Sequence, residues 1–396
     1  MVDAPSTDYD PFSVEALLDP YPGYTELRAL GPVVWLDRYG CWCLPRHVEV
    51  MAVLQDAATY CSGRGVGLTD FAKEPPWRVQ SLILEADPPL HTRTRSVLSR
   101  ALSPATLRSM VATFEAEARR LVAGLLERGE IDGVADLAEA FPLKVFADAM
   151  GLPADGRGAL LAYGSIAFNA FGPRNQVLED AMRGAEPVIA AVLALCRREV
   201  LAPNGIGAQI FAAADAGEVS EAEAALLVRS FLTAGIDTTA SGLGAALLAL
   251  ARAPDQWARL RADPSLARNA FEEAVRLESP VQTFFRTCTR DVELAGVQLR
   301  EGDKVLMSLA SANRDETRWP GADRLHIGRK LGGHVAFGAG IHGCVGQMLA
   351  RLEGEVLLRE LATSVGALEL TGEPRYRVNN TLRNIGVLPM ALTPRR

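Results

Sequence analysis

The sequence predicts one mainly α domain with a long central helix and small β-sheets. Three observations predict it. Helix-period apolar patterns run from end to end of the 396 residues. Hydrophobic residues make up 48% of the chain, enough for one large core. No repeat, low-complexity tract or Ser/Gly/Pro-rich linker divides it, so residues 1–396 read as a single domain.

The elements follow in chain order. The first sixty residues mix a short helix with strand-like runs at 33–36 and 41–44, which turn at Arg38-Tyr39-Gly40. Helical patterns are predicted at 46–56, 91–102, 105–128, 137–150, 157–170 and 175–200. Ser103-Pro104 and Gly151-Leu152-Pro153 supply start and stop chemistry. The longest pattern covers 220–253, and its stretch 230–251 is apolar enough to resemble a membrane span. Asp237, Gly235, threonines and serines interrupt that stretch, which fits a buried central helix instead. Helices at 254–262 and 264–278, strands at 292–299 and 303–308, and a coil-rich stretch at 312–340 come next. A helix follows Cys344, and the C-terminus patterns as a hairpin.

Composition excludes several classes. A net charge of −7 argues against nucleic acid as a partner. The N-terminal run is acidic and has neither a basic n-region nor an apolar h-region, so no signal peptide or membrane anchor is expected. Six cysteines without CxxC spacing fit a reducing cytoplasm and give no disulfide or zinc framework.

The most informative run is Phe337-Gly338-Ala339-Gly340-Ile341-His342-Gly343-Cys344-Val345-Gly346. Its glycines allow positive φ and close backbone approach. N–H groups in such a loop can donate to a thiolate, and the helix that follows favours a negative sulfur. A lone cysteine without that loop would be a small hydrophobe. A second run, Ala234-Gly235-Ile236-Asp237-Thr238-Thr239, puts an acid and hydroxyls inside an apolar helix, where simple burial is costly. It reads as a proton relay beside a ligand, or as a polar patch in a helix contact. Glu273 and Arg276 stand three apart on a helix, by themselves an ordinary salt bridge. His91 and Arg95 lie one turn apart, after Asp87-Pro88-Pro89.

In this order, and over nearly the whole chain, these runs resemble the cytochromes P450. The resemblance implies the cytochrome P450 fold, haem b (heme b, iron protoporphyrin IX) and a monooxygenase that uses O2. It implies Cys344 as the ligand of the haem iron, in a loop where Phe337 and Gly338 shield and shape the sulfur. His91, Arg95, Arg286 and His342 would meet the haem propionates. Asp237 and Thr238 would be the acid–alcohol pair that delivers protons. Glu273 and Arg276 would form a buried structural pair, completed by Arg329 or by Arg324, since Leu325 replaces the aromatic usual nearby. Electrons would come from NADH through a flavin-containing ferredoxin reductase and a [2Fe–2S] ferredoxin. Arg93, Arg95, Arg100 and Arg351 are expected to make the face around the cysteine positive.

A closer resemblance is to bacterial members that bind para-substituted benzoates and oxidise the para group, for example by O-demethylating 4-methoxybenzoate. Residues 62–68, Pro76-Trp77-Arg78, 81–87, 168–173, 227–230 and 279–287 carry it. It implies that Arg78, Ser81 and Ser230 hold the carboxylate, with added charge from Arg229. Leu84, Phe168, Phe171, Ala234, Val281 and Phe284 would clamp the ring. Val79-Gln80 departs from the apolar, proline-rich pair expected there. The expected protein is cytoplasmic, with no membrane contact. Two alternatives stand beside it: a monooxygenase for a different small aromatic or hydrophobic acid, and a non-catalytic haem-binding protein. The presence of both Asp237 and Thr238 argues against the second.

Overall fold

Helices build the largest core in this computed structural model, which describes residues 4–76 and 78–395. Trp77 and the first three residues of the acidic N-terminal run lie outside the described residues.

The 220–253 pattern forms two helical segments, Glu221–Ala234 and Asp237–Arg252, in one continuous run. Ser220 and Glu223 open it with a reciprocal capping box. The interruption falls at Gly235-Ile236. A Cβ on Gly235 would lie 2.3 Å from the Phe146 ring, so the close packing there demands glycine. Thr238 Oγ1 donates to the Ala234 carbonyl at 2.7 Å, and Thr239 Oγ1 to the Gly235 carbonyl at 3.1 Å. These hydroxyls take carbonyls that the loosened turn leaves free. The run Glu221–Arg252 is long and apolar enough to cross a membrane, but 78% of its apolar window is buried inside the protein. Helices Ala267–Glu278 and Gln347–Ser364 pack beside it and share its core.

The sheets are small. Six strands order as Ser6–Thr7, Val34–Leu36, Cys41–Leu44, Lys304–Ser308, Thr283–Cys288 and Tyr60–Cys61. The predicted early hairpin forms, with Trp35 opposite Trp42. Strand Thr283–Cys288 carries Arg286 inward, and five of its six residues are buried. Because it is covered on both faces, it shows none of the alternation that marks a half-exposed strand. The predicted 292–299 strand is a hairpin of Val292–Leu294 and Val297–Leu299, turned at Ala295 and Gly296, which both have positive φ. The C-terminal hairpin pairs Val365–Leu370 with Pro389–Pro394, and Arg375–Arg377 pairs with Asn384–Val387 between them.

Three expectations need correction. The 175–200 pattern is not one helix but Gln176–Met182, Glu186–Leu195 and a 3-10 turn at Arg198–Val200. Gly184, at φ 71°, breaks it. The 137–150 pattern begins earlier, with a π-helical turn at Gly133–Ala138 ahead of Ala140–Met150. Helix Ile206–Asp215 was not expected, although it buries Ile206, Ile210 and Phe211 along one face. Its ten residues stand behind Pro203-Asn204-Gly205, which reads as loop.

Candidate active site

The cysteine loop is shaped by two left-handed glycines. Gly338 and Gly340 have φ of 67° and 65°. A Cβ on Gly340 would lie 2.2 Å from the Leu54 carbonyl oxygen. Cys344 N–H donates to the Phe337 carbonyl at 2.8 Å and closes the loop. The sulfur faces a cavity of about 250 Å³. Burial pushes the Cys344 thiol up; the N–H groups of Gly346 and Gln347, with Arg95 and Arg351, oppose it. Those opposing groups all favour a thiolate. Arg351 also stacks over the Phe337 ring, 4.5 Å from its centroid. Glu272 holds Arg351 at 2.6 Å and meets His334 Nε2 at 2.8 Å. Burial pushes Glu272 up, but these two partners outweigh it and hold it at about 2.

A basic cluster lines the same cavity. Arg95, Arg286 and His342 face it, and the His91 ring lies 4.3 Å from that of His342. Both Nε2 atoms lack a hydrogen-bond partner among the described residues. Arg95 donates to the Gly343 carbonyl at 2.6 Å and Arg286 to the Phe285 carbonyl at 2.8 Å. Among the described residues, no carboxylate forms an ion pair with either arginine. Burial lowers His342 to about 3 and Arg286 to about 10, and lowers His91 as well. Guanidiniums without a carboxylate, beside imidazoles whose Nε2 atoms are unpaired, can take anions. A thiolate loop facing a cluster able to take two carboxylates is a donor set that fits haem, with its iron at Cys344 and its propionates at the cluster.

Thr238 lines the cavity, whereas Asp237 lies behind it. Asp237 is buried; its Oδ1 accepts from Asn384 Nδ2 at 3.1 Å, and its Oδ2 has no partner among the described residues. Asn384 Oδ1 in turn accepts from Ser241 Oγ at 2.6 Å. Burial raises the Asp237 carboxyl to about 6, against the Asn384 hydrogen bond. Its ordinary value is 3.8, so folding takes up a proton between there and about pH 6. Stability from this group is full below the lower value and is lost as pH rises through the upper one. Asp237→Asn removes the loss while keeping an acceptor for Asn384. The variant should gain about 2–3 kcal/mol over wild type at pH 8 and about half of that at pH 5. Urea unfolding of the holoprotein at both pH values measures this, and a gain independent of pH would contradict it.

The residues expected to hold substrate all line this one cavity. Ser81 Oγ lies 3.2 Å from Ser230 Oγ. Arg78 forms a two-pronged ion pair with Glu85, at 3.1 and 3.4 Å. Arg229 is buried and donates to the Val79 carbonyl at 2.8 Å, an oxygen that also accepts from Arg78 at 3.0 Å. Val79 is 61% exposed, so its departure from the expected pair touches the surface while its carbonyl ties both arginines. Arg78 lies over the Phe171 ring, 5.8 Å from its centroid; Phe171 meets Phe168 edge-on at 5.7 Å and Phe284 at 5.5 Å. Leu84 and Val281 pack on this aromatic cluster, and Ala234 completes the wall.

Away from the cavity, Glu273 and Arg276 are fully buried and paired at 2.7 Å. Arg329, not Arg324, closes the set, with Nε 2.9 Å from Glu273. Among the described residues, three of the four arginines expected to make the face around the cysteine positive are paired with carboxylates, and Arg95 is not. Arg93 pairs with Glu223, Arg100 with Glu218 and Arg351 with Glu272, carboxylates that the sequence reading left out. Sequence reasoning also missed Glu85, Asn384 and Glu353. Glu353 lines the cavity, both its oxygens lack partners among the described residues, and burial raises it well above the usual range. Its position on the apolar stripe of Leu349, Val356 and Leu357 was the available signal.

A family model described as Cytochrome P450 matches residues 160–362. A curated relative, "Cytochrome p450 CYP199A2" of Rhodopseudomonas palustris, is 58% identical over 391 residues, covering 98% of this chain and 95% of its own. The solved structure of cytochrome P450 CYP109Q5 from Chondromyces apiculatus matches with a TM-score of 0.81 at 31% identity, over 98% of both chains. Cytochrome P450 CREJ, solved with (4-ethylphenyl) dihydrogen phosphate, matches with a TM-score of 0.86 at 25% identity, over 97% of this chain and 99% of that one.

Proposed function

This chain belongs to the cytochrome P450 family and is a haem monooxygenase, and from that premise we propose that it oxidises the para substituent of benzoate-type acids, as in the O-demethylation of 4-methoxybenzoate. One observation carries the reading: Arg78, Ser81, Arg229 and Ser230 gather on one wall of a cavity otherwise lined mainly by aromatic and aliphatic side chains. A carboxylate held there by charge-assisted hydrogen bonds fixes the ring, and Phe168, Phe171 and Phe284 grip its faces and edges. A structural relative solved with a para-substituted aryl phosphate supports an anchored aromatic anion in this fold.

When bound at Cys344, haem b supplies O2 activation and the transfer of one oxygen atom to substrate. The protein's residues do the rest. Cys344 provides the thiolate, shielded by Phe337 and shaped by Gly338. His91, Arg95, Arg286 and His342 hold the propionates. Thr238 and Asp237 pass protons toward the cavity, and the raised Asp237 carboxyl suits that task near neutral pH. Oxidation of the methoxy carbon gives a hydroxymethyl ether, which falls apart to the phenol and formaldehyde; the second oxygen atom leaves as water. Two electrons come from NADH through a reductase and a [2Fe–2S] ferredoxin, in the cytoplasm.

Thr238→Ala should leave substrate affinity unchanged while lowering product formed per NADH and raising peroxide release. Full coupling in that variant would remove Thr238 from the relay. Product analysis on the three methoxybenzoate isomers tests the substrate reading. Preferred oxidation of the para isomer is expected, and preference for the ortho isomer would contradict it.

A further inference from the structure

Glu85 is buried, and its carboxylate is built into the anchor. It accepts from both Nη atoms of Arg78 and from the Ser81 N–H at 2.7 Å. It also borders a second cavity of about 80 Å³, which shares Arg78 and Phe171 with the first. Arg229 is the other cation of the anchor; it donates to backbone carbonyls, and no carboxylate among the described residues pairs with it. Burial lowers the pKa of Arg229; Arg78 adds to the effect and Glu85 opposes it, so the three charges act on one another.

Resting on the benzoate reading, we propose that Glu85 sets the charge the anchor accepts: by neutralising Arg78 it leaves one net positive charge, matched to a monocarboxylate and not to a dianion. Two guanidinium groups and one carboxylate sum to +1. A benzoate brings the buried cluster to zero, whereas a dianion leaves a net buried negative charge, which is costly. Arg78 carries five N–H donors, so it can bridge Glu85 and a substrate carboxylate. Glu85 acts through Arg78, as a specificity-determining and positioning residue.

The test is equilibrium binding to the ferric holoenzyme, read by spin state or by competition. The ligands are 4-methoxybenzoate, its methyl ester and 4-methoxyphenyl phosphate, at pH 8, where the phosphate is a dianion. Glu85→Gln keeps shape and an acceptor oxygen but removes the charge. It should tighten the benzoate about 10-fold and the phosphate about 100-fold, with the ester changed less than about twofold. An unchanged or weaker benzoate, or equal gains for all three ligands, would overturn the proposal. If Glu85→Gln does not retain haem, Arg229→Gln carries the test. The charge count then falls to zero, and the preference for acid over ester should vanish. A preference kept at about tenfold or more would mean that Arg78 is not neutralised, which overturns the proposal as well. A wild type without acid preference refutes the benzoate reading itself. A wild type with that preference and an unresponsive Glu85→Gln refutes only the role of Glu85.

Discussion

Cys344→Ser is expected to reduce oxygen-dependent turnover to background. The loop around the sulfur is prepared for an anion: N–H groups of Gly346 and Gln347 and the guanidiniums of Arg95 and Arg351 all favour the thiolate. A serine hydroxyl stays neutral there and donates far less charge to iron. The basic cluster of His91, Arg95, Arg286 and His342 is untouched, so the variant should still take up haem. Ferrous–carbonyl spectroscopy reads the difference. The thiolate-type Soret band should be lost in the serine variant, and likewise in Cys344→His. A retained thiolate-type band would show that another residue binds iron.

Arg78→Ala should weaken 4-methoxybenzoate binding far more than binding of the methyl ester. Two effects add. The substrate carboxylate loses a charged hydrogen-bond partner, and Glu85 loses the guanidinium that now holds it at 3.1 and 3.4 Å. A buried carboxylate left beside the substrate's own then repels it. Together they should cost about 2–4 kcal/mol, after water enters the gap. That is roughly 30- to 1,000-fold in affinity for the acid. Adding Glu85→Gln to the variant should recover part of the loss. Dissociation constants for acid and ester, in wild type and both variants, measure it. Equal losses for acid and ester would mean that Arg78 shapes the pocket without holding a charge.

What could be read from sequence was local and densely patterned. The cysteine loop spells its geometry over ten adjacent positions, and the glycines that take positive φ, Gly338 and Gly340, stand where the pattern puts them. Glu273 and Arg276 are one helical turn apart, so their contact follows from helix geometry. Contacts between distant or irregular segments were not legible. Asn384 reaches Asp237 across 147 positions, from a strand of the C-terminal region. Glu85 meets Arg78 seven positions away in a segment without a period. The arginines near the cysteine looked like an unopposed field because their glutamates, Glu218, Glu223 and Glu272, lie on other elements. The broken 175–200 helix is a different case. Gly184 takes a left-handed φ and Pro187 opens the next helix, signals that the pattern reading passed over.

The proposed anion-binding wall of the cavity anchors a benzoate in this haem monooxygenase. A ferric spin-state titration of the wild-type holoprotein with 4-methoxybenzoate and, separately, with its methyl ester tests this. The acid should drive the low- to high-spin change with a dissociation constant at least about tenfold below that of the ester, as one charged hydrogen bond requires. Equal affinities, or tighter binding of the ester, would contradict the claim.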